Sequence, residues 1–301
     1  MKQFLIKSLV FFLIFFVAEK SICFFIENAP KKEYDKRLEH LLKGEINKDI
    51  VILGSSRGAN NIIAEQLQQD TNKSVFNLSY KGSDLIFQEF IFKTLIDFNN
   101  KPELLILVLD DIHTFKTVPS LNFRTDVLMP LKNYNYINNE LIKRNDKNIL
   151  SKYFCLSRVN RNDFDLNEVK VKPEDEISIL GSNILINRKI QNLTFSDGFE
   201  IYSEDSEDFN KINALKNIQL LCKEYQIDLV FTFAPSYKTF NQSFLHRFKK
   251  LAIEENRILV YDTLNPIYKN DTYFADDSHL LKNGAIIFTS EITTFVNNLK
   301  R

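Results

Sequence analysis

The chain is poor in glycine, with seven in 301 residues, poor in cysteine, with three, and without an excess of charge of either sign. Its 39 lysines and arginines balance 39 aspartates and glutamates. A nucleic-acid binder that works by neutralising phosphates needs a basic excess to release counterions, so no nucleic-acid partner is expected. Cys23, Cys155 and Cys222 lie far apart without a Cys-x-x-Cys or Cys/His spacing, which argues against a zinc site and against a dense disulfide framework. Only Cys155 and Cys222 stand clear of the apolar N-terminus and could pair outside a membrane, and nothing in the sequence says that they do. Hydrophobic residues at 44% and charged residues at 26% exclude wholesale disorder. The length suits one large domain, with or without a modest insertion.

What is present begins with a membrane signal. Lys2 and Lys7 precede an apolar run from Ser8 to Ala18; Glu19 and Lys20 interrupt it, and Ser21 to Ile26 resumes it. Both a secretory signal and a retained anchor have this shape. Cleavage sites are weak, such as Ser21 and Cys23, and the 19 residues from Ser8 to Ile26 approach the length that crosses a bilayer. A signal anchor over residues 1–27 is therefore expected. Basic residues stay on the cytoplasmic side, which puts the bulk of the chain outside the cytoplasm, in a periplasm or at the cell surface.

Residues 28–48 are charged, with Leu38, Leu41 and Leu42 at helical spacing, and read as a linker or stalk helix. From residue 49 onward short apolar runs alternate with amphipathic ones. Strands are expected at 49–53, 75–78, 104–109, 227–233 and 258–261, and helices at 59–69, 86–98, 213–225, 244–254 and 284–299. This pattern predicts an α/β domain over 49–301, a three-layer parallel sheet with helices on both faces. The alternation fails between about 112 and 209, too long a stretch for a loop in a compact domain, and an insertion forming a lid or recognition surface is expected there.

Two segments carry residues suited to acyl chemistry. Gly54-Ser55-Ser56-Arg57 follows the first strand, where a serine hydroxyl emerges at the carboxyl ends of the strands and a following helix start offers free amides. Asp276-Asp277-Ser278-His279 lies near the C-terminus, and an aspartate three residues before a histidine can hold one imidazole nitrogen while the other serves as base. In this order the segments resemble the SGNH, or GDSL-type, hydrolase superfamily. Its first block matches Gly54-Ser55-Ser56, its second resembles Asn77 to Gly82, and its last matches Asp276 to His279. The resemblance spans about 49–112 and 213–299. It implies a flavodoxin-like α/β fold, Ser56 as nucleophile, His279 as base, Asp276 as orienting acid, and the Ser56 and Gly82 amides as an oxyanion hole. Ser55 competes for the nucleophile's role, with a cap or turn as its other reading.

The third block departs from that family. A Gly-x-Asn there usually supplies an oxyanion donor, and this chain has Leu109-Asp110-Asp111. An ionised carboxylate cannot donate to an anion, and one missing donor costs about 10²–10³ in rate. Asp110 and Asp111 are candidates for a sugar hydroxyl or a cation, and Arg57 for an anionic substrate group; plain strand-end and helix-start roles remain open for each. Rival readings fail on spacing. Gly54 to Gly58 lacks the further glycine of a dehydrogenase turn, since Asn60 stands there, and no Gly-Lys-Ser/Thr phosphate loop follows. No nucleotide or other cofactor, and no metal, is expected. The resemblance implies hydrolysis or transfer of an acyl ester on an acylated carbohydrate or lipid-linked envelope substrate. A degenerate glycan-binding or assembly protein is the alternative.

Overall fold

The computed structural model describes residues 1–28, 35–159, 161–164, 172, 175–188, 190–198 and 201–299. The chain divides into two compact units, Met1–Lys36 with Arg124–Val171, and Arg37–Phe123 with Lys172–Arg301. The strands are β1 (Ile50–Leu53), β2 (Val75–Asn77), β3 (Leu104–Leu109), β4 (Asp228–Phe233) and β5 (Arg257–Val260). The helices are α1 (Lys2–Asn28), α2 (Arg37–Leu42), α3 (Ser56–Asn61), α4 (Ala64–Thr71), α5 (Leu85–Phe98), α6 (Thr125–Leu128), α7 (Asn135–Lys143), α8 (Phe209–Glu224), α9 (Gln242–Leu251) and α10 (Lys282–Leu299).

The larger unit is an α/β domain around an all-parallel sheet in the order β2-β1-β3-β4-β5. Its central strands are continuous apolar runs because both faces are covered. Ile50, Ile52, Ile106, Val108 and Val230 join a core with Leu67 of α4 and Ala285, Phe288, Ile292 and Val296 of α10. On β4 the alternate residues Phe231 and Phe233 meet Phe248 of α9 at ring separations of 4.9 and 5.6 Å. The strand order reverses between β1 and β3, and in open α/β sheets ligands bind outside the carboxyl ends at such a switch point.

Three expectations need revision. The helix expected over 59–69 is two helices, with Ile62 in extended backbone (φ −123°, ψ 125°) between them. The restart is satisfied by side chains: Ile63 N donates to Thr289 Oγ1 and Ala64 N to Ser182 Oγ, both at 3.0 Å. Part of the expected stalk is instead integral to the larger unit: α2 buries Arg37, Leu38, Glu39, Leu41 and Leu42. The expected insertion is divided, for only Arg124–Val171 falls in the smaller unit and both flanks belong to the larger.

In the smaller unit α1 runs 27 residues. Its Lys2–Phe25 stretch is long and apolar enough to cross a membrane, and its most apolar window is wholly unburied. Cys23 of α1 forms a disulfide with Cys155, 132 residues away. The cysteine set aside as lying in a membrane segment is thus the one that pairs. Cys222 is free and buried on α8, where burial pushes its thiol up to about 12.

Candidate active site

Ser56 opens α3 directly beyond β1, and Ser55 is that helix's N-cap. The Ser55 hydroxyl accepts from Arg57 N at 3.2 Å and donates to Asp110 Oδ1, so its proton is committed. Ser56 Oγ instead lies 2.8 Å from His279 Nε2, across 223 residues of sequence. The other imidazole nitrogen, Nδ1, lies 2.7 and 2.9 Å from the two oxygens of Asp276. A carboxylate only accepts, so Nδ1 carries the proton and Nε2 is left to accept from Ser56. The three side chains form one hydrogen-bonded chain.

Local structure explains the alignment. Ala275 N donates to His279 O at 2.8 Å, closing the Asp276–His279 segment into a tight turn. Within it Asp276 Oδ1 accepts from Ser278 N and His279 N, each at 2.9 Å. The carboxylate is therefore fixed by backbone amides before it meets the imidazole. Two further bonds fasten the turn: Tyr237 N donates to Asp277 O at 2.8 Å, and Leu280 N to Asn61 Oδ1 at 2.9 Å.

Gly82 has φ +72°, in the left-handed region that glycine enters without a Cβ penalty. The turn around it is tied to the serine segment, since Tyr80 N and Ser83 Oγ both donate to Gly54 O at 3.0 Å. Among the described residues neither the Ser56 nor the Gly82 amide donates to another group. Close approach is made possible at Gly58, where an added Cβ would lie 2.3 Å from Ser79 Oγ.

The three candidate substrate contacts occupy different settings. Arg57 is buried; its guanidinium donates to Ser236 Oγ at 2.6 Å and to the carbonyls of Ala234 and Pro235, so it braces the β4 exit. Asp110 is buried at the end of β3, bonded to Ser55, and its backbone N donates to Thr114 Oγ1 at 2.9 Å. Burial raises its pKa to about 6, against the opposing pull of the Ser55 hydroxyl and of Arg57, His279 and Lys211. Asp111 has φ +52° and meets Lys238 Nζ at 3.0 Å through Oδ2, while no described group bonds its Oδ1. It lines a concavity with Ser236, Lys238, Thr239, Phe240 and Tyr261.

Sequence reasoning missed the residues that hold this arrangement. Arg37, read as part of a linker, donates from Nη1 to the carbonyls of Asn77, Ser79 and Gly181 at 3.1, 2.9 and 2.8 Å, and stacks 4.3 Å from the Tyr80 ring. It clamps the loop that leads to Gly82. Asn61 was missed because its bond to Leu280 spans 219 residues; the available signal was two asparagines in a helix that they disfavour. Asn60 beside it is wholly buried with no partner for its amide among the described residues. The other histidines stand apart: His40 pairs with Glu45, and His113 is exposed.

Compared with protein-family models and with curated proteins, the chain matches none of either. What can be said of its chemistry rests on the residues themselves.

Proposed function

We propose that the chain is an SGNH-type serine esterase or O-acyltransferase, acting outside the cytoplasm on an acylated glycan or lipid-linked envelope substrate. The observation that carries this reading is the continuous Ser56–His279–Asp276 hydrogen-bonded chain at the carboxyl ends of the strands. Ser56 Oγ attacks the acyl carbon as its proton passes to His279 Nε2, and the Asp276 carboxylate stabilises the resulting imidazolium. The unengaged amides of Ser56 and Gly82 are available to receive the oxyanion. His279 then returns the proton to the departing alkoxide, leaving an acyl-serine. Water or an acceptor hydroxyl, deprotonated by the same nitrogen, completes hydrolysis or transfer. Of the substrate contacts considered, Asp111 retains an oxygen for a substrate hydroxyl, whereas Arg57 and Asp110 are engaged internally.

The alternative, a glycan-binding or assembly protein on a disabled scaffold, draws on Asp110 and Asp111 standing where the resembling family keeps a donor. A fluorophosphonate probe separates the two. It should label the full-length protein covalently, and Ser55→Ala should leave that labelling in place. A folded protein that refuses the probe would favour the binding reading.

Extracytoplasmic placement draws support from Lys2 and Lys7 in the first turns of α1 and from the Cys23–Cys155 disulfide, a bond that persists in oxidising compartments. A phosphatase reporter fused after Arg301 should be active only if exported, and Cys23 and Cys155 should resist alkylation until reduced. Ready alkylation of both thiols in intact cells, with a silent reporter, would reverse the assignment.

A further inference from the structure

Part of the smaller unit is built inside out. The short 3₁₀ turn Ile149–Lys152, capped by Asn148, buries its serine and exposes its aliphatics. Ser151 is 0% exposed, while Ile149 and Leu150 are 58% and 51% exposed. The serine is tightly used: its carbonyl accepts from Asn138 Nδ2 at 2.8 Å and Arg158 Nε at 2.7 Å, and its hydroxyl donates to Ser157 O at 2.9 Å. The outward direction of the apolar side chains is thus fixed by a satisfied polar interior. Tyr153, Leu156 and Phe164 follow at 67%, 41% and 58% exposure. Scattered apolar residues on a surface need no explanation, but a cluster on one ordered segment marks a contact.

The same segment is fastened to α1 between Phe15 and Phe25, about 15 Å of helix at 1.5 Å per residue. The disulfide joins Cys155 to Cys23, and Glu19 accepts from the amides of Cys155 and Leu156. Phe154 meets Phe15 at 5.6 Å, and Phe164 stacks on Phe25 at 5.4 Å. Glu19, one of the two charges that interrupt the apolar run, is therefore consumed by this docking. From Phe4 to Val17, by contrast, the large apolar side chains of α1 are exposed. At 1.5 Å per residue, Lys2 to Ala18 spans about 25 Å, somewhat less than a hydrocarbon core of about 30 Å. A span that falls short draws the bilayer surface toward its end, here Ala18, which lies between the Phe15 contact and the Cys23 disulfide.

We propose that the outward face formed by Ile149, Leu150, Tyr153 and Leu156 is a membrane seat, whose apolar residues enter the lipid leaflet around α1. The occupant is the bilayer itself, because this surface continues the exposed apolar surface of the helix to which it is bonded. Tyr153 suits the headgroup boundary, and the exposed Lys152 beside it suits anionic headgroups. Insertion to a depth of about 5–10 Å is the range open to such interfacial residues. The proposal rests on reading α1 as a span.

The chain has no tryptophan, so a single introduced one is a unique emitter. The full-length protein is reconstituted in phosphatidylcholine–phosphatidylglycerol vesicles with or without brominated acyl chains. Four variants are compared: L150W and Y153W in the seat, F11W in α1, and L264W at a site 90% exposed in the larger unit. The seat variants and F11W should lose most of their emission to brominated lipid and emit to the blue, whereas L264W should respond only to aqueous iodide. Quenching of F11W alone, with the seat variants behaving as L264W, would overturn the seat while keeping the span. Seat variants shielded from both bromine and iodide would overturn it in favour of a protein partner or a second copy. If F11W also escapes brominated lipid, span and seat fall together.

Discussion

Ser56→Ala should abolish fluorophosphonate labelling and lower ester turnover by about 10⁴-fold or more, with the fold unchanged. The size of the effect follows from how completely the alternatives are closed. Ser55 is the nearest substitute, but its hydroxyl already donates to Asp110 and accepts from Arg57 N. No other serine bonds His279 among the described residues. His279→Ala should cost a similar amount, since no other base bonds Ser56 among the described residues. Asp276→Asn should cost about 10⁴ in kcat with little change in KM, because a neutral amide neither stabilises the imidazolium nor enforces its tautomer. That variant retains an oxygen for the amides of Ser278 and His279, so the turn should survive, which far-ultraviolet dichroism would verify. The three losses should not add, because the residues act as one unit. Hydrolysis by Ser56→Ala within tenfold of the parent would sink the serine mechanism.

Sequence was most informative where one physical constraint acted alone. A strand buried on both faces has to be apolar at every position, so Leu104–Leu109 could be read to the residue. Ser56 and His279 could be named from short local motifs, Gly54-Ser55-Ser56 after the first strand and Asp276 to His279 near the C-terminus, and the fold brings the two side chains to 2.8 Å. What escaped depended on pairings across long stretches of chain. Cys23 sits in an apolar helix, and nothing local signals that Cys155 reaches it. The broken helix at Ile62 escaped because helical spacing continues through it; the interruption comes from Thr289 and Ser182, 226 and 118 residues from the amides they satisfy. Arg37 read as linker charge because its three carbonyl partners lie on distant segments. These pairings position Ser56, His279 and Asp276, so the candidate site's side chains could be named from sequence and their scaffolding could not.

Asp110→Asn should stabilise the protein at pH 8 by about 3 kcal/mol and erase a pH dependence that the parent shows. Burial raises the Asp110 pKa from 3.8 to about 6, even against the opposing pull of the Ser55 hydroxyl, Arg57, His279 and Lys211. Each tenfold change in proton affinity is worth about 1.4 kcal/mol, so ionising this side chain in the folded protein costs about 3 kcal/mol more than in the unfolded chain. The folded state keeps the proton to higher pH than the unfolded state does. Stability from this residue is therefore greatest below about pH 4, falls as pH climbs toward 6, and stays low above that. Asparagine preserves the shape and the oxygen that accepts from Ser55, but has no charge to bury. Thermal unfolding of both forms at pH 4 and pH 8 measures the difference. The variant should melt well above the parent at pH 8, by about 4–8 °C per kcal/mol for a small domain and less for one of this size. At pH 4 the two should nearly coincide. An unchanged or lower midpoint at pH 8 would mean that the carboxylate is needed as a counter-charge to Arg57, and that its charge outweighs its burial.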